Sequence, residues 1–215
     1  MCGFNIIPTT KMVFNLGGMF YNLPHIRSQF SNGVVLSKTK VKVVRKPVQS
    51  RGIARFEKIL SVAKSLIAEQ GMQETTAYKI AEYAELPAAS IYQYFPTREL
   101  IFETLAERQF EVFMDDFQAR FKSKKFTAWQ QMAETLVLAS YEFYSLDKTN
   151  ARLFLGVDAI MVVRKGAASR LSRFAIWFCA QMEEQFCVDA TPLREPIAIS
   201  INLIDGAFIR SLSLH

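Results

Sequence analysis

Between Ser90 and Tyr94 the chain reads SIYQY, so Ser90, Tyr92, Gln93 and Tyr94 crowd hydrogen-bonding groups on short or stiff stems into one turn and a half. Such groups suit phosphate oxygens and base edges. They do not suit bond-making, which needs a base or a metal beside them. Only His25 and His215 are available as imidazoles, which leaves almost no material for Ser-His-Asp, Cys-His or histidine-metal chemistry. Cys2, Cys179 and Cys187 have no metal-ligand spacing. On one helix, Cys179 and Cys187 stand about eight rises of ~1.5 Å apart, beyond disulfide reach. The cysteines are read as small apolar residues of a reduced, cytosolic protein that is not an enzyme and uses neither cofactor nor metal.

Three short helices must position the SIYQY groups. Phe56, Ile59, Leu60, Ala63, Leu66 and Ile67 fall on the stripe of an amphipathic helix. Gly71 offers a left-handed stop. Thr75 or Thr76 can cap a second helix, Ala77 to Ala84, whose Ile80, Ala81 and Ala84 share a face. Pro87 suits the first turn of a third, because its missing N–H is not needed there. Ile91 and Phe95 are four apart and face inward, which leaves Ala88, Ala89, Ser90, Tyr92, Gln93 and Tyr94 mostly outward.

The stretch Arg55 to Leu100 resembles the DNA-binding domain of the TetR family of transcriptional regulators. An I-A-E-x-A core lies at Ile80 to Ala84, an S-I-Y-x-Y-F signature at Ser90 to Phe95, and the P-T-R-E-L start of helix four at Pro96 to Leu100. The chain departs from the pattern at Glu85, where Gly is usual, and at Pro87, Ala88 and Ala89, where Ser-Lys-Gly is usual. The customary basic base contact is therefore missing.

The resemblance implies an all-α protein with a helix-turn-helix head, joined by a long helix to a regulatory and dimerisation body. It implies a homodimer on a double-stranded DNA operator, with Thr76, Tyr92, Tyr94 and Arg98 on phosphates and Ala89, Ser90 and Gln93 facing bases. Gln93 can pair bidentately with adenine, and the methyls of Ala88 and Ala89 can meet thymine methyls. For Tyr92 and Tyr94 the plainer alternative is packing against helix one. The resemblance further implies a repressor whose body binds a small apolar effector that shifts the two heads. The alternative is a helical dimeric interaction protein that no longer reads DNA.

Charge divides the chain at about residue 50. Residues 1–50 hold seven of the 26 basic residues and no Asp or Glu, leaving 19 basic against 20 acidic residues beyond. This extension, 1–50, has no sustained period and is expected to be disordered. Its end, Lys38 to Arg51, alternates basic and apolar residues. It can be an arm along DNA, a solvated linker, or translated leader ahead of a start at Met12 or Met19. The head is expected at 51–97 and the body at 98–215. No run of 18 apolar residues exists, so no membrane span or membrane partner is expected.

In the body, Thr97 is expected to cap a helix from Arg98 to about Arg120, with Glu99, Glu103, Glu107 and Glu111 on an exposed acidic face. A second helix, Thr127 to Leu146, sets Trp129, Met132, Leu136 and Phe143 at core spacing. Residues 151–163 form an apolar run around Asp158, whose carboxylate needs Arg152, Arg164 or a cationic ligand. A helix over Ser169 to Phe186 follows, then one over 193–214 with Thr191 at its start. That last helix is apolar nearly all round, which calls for a second subunit as cover. Phe113, Phe117, Trp129, Phe143, Phe154, Asp158, Met161 and Trp177 are the candidate lining of an effector cavity, with a filled core as the alternative.

Overall fold

The computed structural model describes residues 44–156 and 164–212, all within one compact unit that begins at Val41. Every regular element among them is helical, as the all-α expectation requires. The head consists of α1 (Ser50–Glu74), α2 (Ala77–Tyr83) and α3 (Ala88–Tyr94). The body consists of α4 (Arg98–Lys122), α5 (Trp129–Leu146), a single turn Lys148–Asn150 that runs into a π-helical turn Ala151–Leu155, α6 (Arg164–Phe186) and α7 (Arg194–Leu212). Asp158 and Met161 lie outside the described residues, as does the extension before residue 44.

Two apolar cores share one rod. The head core gathers the stripe of α1 with Ile80, Ala81, Ile91 and Phe95. Ile101, Phe102 and Leu105, from the first half of α4, complete it. The second half of α4 gives Met114, Phe117 and Phe121 to the body core, with Met132 and Leu136 of α5 and Phe174 and Phe178 of α6. At ~1.5 Å per residue, α4 is on the order of 38 Å long. A tilt of its body end therefore moves the head.

Several expectations change. Gly71 has φ 86° and ψ 173°, a positive-φ kink rather than a left-handed helical stop, and one more turn follows it before Thr75. Thr97 precedes α4 without a side-chain cap. The acidic row on α4 is exposed at Glu99 and Glu111 and also docks α6: Glu107 and Glu111 accept from Arg173, and Glu107 pairs with Arg170 at 3.5 Å. Thr191 starts a 3-10 turn, Thr191–Leu193, and its own N–H donates to Asp189, so α7 begins only at Arg194. Cys179 is buried and Cys187 exposed, both as free thiols.

Candidate DNA-binding site and effector cavity

The outward face of α3 is set by what the helix buries. Ile91 and Phe95 are fully buried, and Phe95 stacks on Phe56 of α1 at 4.7 Å. Pinning the helix at these two points fixes which side faces out. Ala89, Tyr92 and Gln93 are exposed and stand three and four residues apart, which makes them one face. Ser90 flanks that face, partly exposed.

Two of the expected outward residues turn in. Ala88 is partly buried against the head core. The Tyr94 ring stands edge-on to Phe56 at 6.0 Å, the packing alternative anticipated for it, while Tyr92 stays open. The Tyr94 carbonyl also accepts the Arg45 N–H at 2.9 Å. The chain just ahead of α1 is thereby laid against the end of α3.

The turn before α3 is held by backbone. Leu86 N–H donates to the Ala81 carbonyl at 2.9 Å, and Glu85 carries φ 52°. That is the left-handed conformation which the usual Gly adopts without strain. Thr76 caps α2 by accepting the Lys79 N–H at 3.2 Å, and its hydroxyl proton stays available to an acceptor. Arg98 donates from Nη1 to the Gln73 carbonyl at 3.1 Å and lies over the Phe102 ring. Arg98 thus fastens the start of α4 to the end of α1. Tyr78, on α2, is exposed.

The body holds a cavity of about 450 Å³. Phe113, Phe143 and Phe154 line it as anticipated. Phe117 is wholly buried in the adjoining core, and Trp177 packs against that core rather than on the cavity wall. Trp129 is 57% exposed at the first residue of α5, one turn short of the first inward position, and takes no part.

The polar groups on the wall were not legible in advance. Tyr144, Arg170 and Asp205 line the cavity, and Tyr144 donates to Asp205 Oδ1 at 2.9 Å. Burial pushes the Asp205 carboxyl up to about 6, opposed by that hydrogen bond. Burial, then the Asp205 charge, hold the Tyr144 phenol well above its usual value, so it remains a donor. Among the described residues no cluster of His, Cys, Asp and Glu could hold a metal ion.

Residues 59–105 match the model of the family described as bacterial regulatory proteins, tetR family. An HTH-type transcriptional regulator of Haemophilus influenzae is 32% identical over 78 residues, covering 35% of this chain and 42% of that protein. The match thus spans less than half of that relative's length. Among solved structures, the fatty acid degradation regulator FadR from Bacillus halodurans superposes with a TM-score of 0.57 at 17% identity, covering 78% of this chain and 87% of that one. A TetR-family regulator from Syntrophomonas wolfei gives a TM-score of 0.58 at 20% identity over 73% of this chain and 81% of its own. The families and relatives matched are transcriptional regulators rather than enzymes. Residues 59–105 are thus similar to the helix-turn-helix segment of TetR-family regulators, and the all-helical chain shares the fold of the solved structures it superposes on.

Proposed function

We propose that the protein is a homodimeric, sequence-specific repressor that leaves its operator when a small, largely apolar ligand enters the body. The observation that carries this reading is the outer face of α3, where Ala89, Ser90, Tyr92 and Gln93 are held outward by the buried Ile91 and Phe95. A surface kept only for solubility would carry Lys and Glu there. Methyl, hydroxyl, phenol and amide groups instead match thymine methyls, phosphates and adenine edges. Thr76 and Arg98 are assigned to phosphates on either side of α3.

The dimer is supported by α7, on which Ile199 and Leu203 are 52% and 70% exposed, four residues apart on one apolar stripe. A second copy is the cover that a two-fold DNA site asks for. Ligand release is supported by the aromatic cavity together with the rod α4, which enters both cores. The cytoplasm, on the nucleoid, is the compartment in which such a regulator works.

Fluorescence anisotropy with duplexes from upstream of its own gene, set against unrelated duplexes over a range of salt, tests the reading. A regulator binds one duplex far more tightly, with a salt slope of about −0.9 per phosphate neutralised. Equal, weak binding to all duplexes would favour the dimeric interaction protein without DNA reading.

A further inference from the structure

The cavity carries a carboxyl group that, among the described residues, has no cation paired with it. Asp205 projects from α7, and among the described residues its single hydrogen-bond partner is the neutral phenol of Tyr144. Arg170 is the cation on the same wall, and it is already engaged: it pairs with Glu107 of α4 at 3.5 Å and stands over the Phe154 ring at 5.9 Å. Arg152, on the π-helical turn packed against α7, donates to the Ile67 carbonyl at 2.8 Å. A carboxylate withdrawn from water without a counter-charge is costly, and a protein retains one where a partner arrives from outside.

The rest of the wall suits such a partner. The Phe143 centroid lies 5.1 Å from Phe113, 5.3 Å from Tyr144 and 5.6 Å from Phe154, so the rings form a continuous lining. Ring faces are electronegative and attract cations, most strongly when water is excluded. About 450 Å³ lies within the size of a site for a small organic molecule.

We propose that this cavity binds an organic cation, with the cationic nitrogen against Asp205 and an apolar body against Phe113, Phe143 and Phe154. This inference rests on the effector-released regulator described above and names the chemical class of its effector. An anionic amphiphile is disfavoured by the same carboxylate, and a neutral one leaves it uncompensated.

The test is calorimetric titration of the full-length protein, without DNA, at pH 7.5. The probes are benzyldimethyldodecylammonium below its micelle concentration, the uncharged analogue with carbon in place of nitrogen, and dodecanoate. The cation should bind saturably and the other two much more weakly. Asp205→Asn should weaken the cation by about tenfold or more, the scale of a direct charge contact in a poorly hydrated site. Wild-type affinity for the cation should also fall as pH drops through about 6, where the carboxyl protonates, a readout that needs no substitution. Equal affinity for all three probes, undiminished binding to Asp205→Asn, or affinity that is flat from pH 7.5 to pH 5 would overturn the assignment. Because DNA is absent, failure here leaves the operator reading standing. A cation that binds without loosening DNA would instead sink ligand release and keep the site.

Discussion

Tyr144 on α5 and Asp205 on α7 meet at 2.9 Å across the wall of the body cavity, phenol to carboxylate. The contact ties two helices together at the cost of a poorly hydrated charge. The carboxyl rises from 3.8 to about 6 on folding. Between those values the folded state holds a proton that the unfolded chain has released, so stability falls as pH rises from about 4 to about 6. At pH 7 the group opposes folding by on the order of 1–3 kcal/mol. Asp205→Asn, which still accepts from Tyr144, should therefore raise the urea midpoint at pH 7, with the gain fading below pH 4. A loss of stability at pH 7 would show that the charged form is structurally required.

Glu85 occupies a left-handed turn at φ 52° that glycine adopts without strain. Its 3.5 Å pair with Lys58 is exposed and worth little. Glu85→Gly should stabilise the head by about 0.5–1 kcal/mol, whereas Glu85→Ala should gain nothing. Chemical denaturation of the two variants side by side gives the answer.

How far the sequence carried depended on whether a residue's job was local. The stripe of α1 and the inward pair Ile91 and Phe95 follow from helix period, and both stand; the positive φ of Glu85 was marked only by the family's usual Gly at that place. Trp129 fitted the same period but sits before α5 makes its first inward contact, so spacing alone put it in the core. Tyr144, Arg170 and Asp205 come from three helices, and only the crossing of α5, α6 and α7 brings them to one wall. Asp205 stands in an apolar helix just as Asp158 stands in an apolar run, and both carboxylates need a partner. For Asp205 that partner is 61 residues away, beyond the reach of any local spacing rule.

The segment ahead of α1 makes a graded prediction. Arg45 bonds the Tyr94 carbonyl, and Val44 packs against the head core. Deleting residues 1–43 leaves both in place and should change only the salt slope, by up to about 0.9 for each phosphate no longer neutralised. Deleting 1–46 also frees the end of α3 and should lower head stability by roughly 0.5–1.5 kcal/mol, the worth of one hydrogen bond. Equal thermal midpoints for the two truncations would contradict the role given to Arg45.

On α7, Ile201 lines the cavity, so a charge there would damage the protomer itself. Leu203, 70% exposed, is the cleaner probe of the dimer. Leu203→Asp should keep the helical circular dichroism and shift sedimentation toward the monomer, since an unpaired charge buried in an interface costs several kcal/mol, roughly 3–5. An unchanged sedimentation profile would move the interface elsewhere.

The central claim is that α3 reads bases, and parallel selection of bound sequences from random duplex DNA tests it most directly. Adjacent helical residues point about 100° apart, so Tyr92 can meet the sugar-phosphate wall while Gln93 meets base edges. Wild type should enrich an inverted repeat. Tyr92→Phe should retain that motif with uniformly weaker binding, by roughly 0.5–1.5 kcal/mol. Gln93→Ala should relax discrimination at one base pair per half-site, by about 1–3 kcal/mol. No enriched motif from wild type, or an identical motif from Gln93→Ala, would contradict the account.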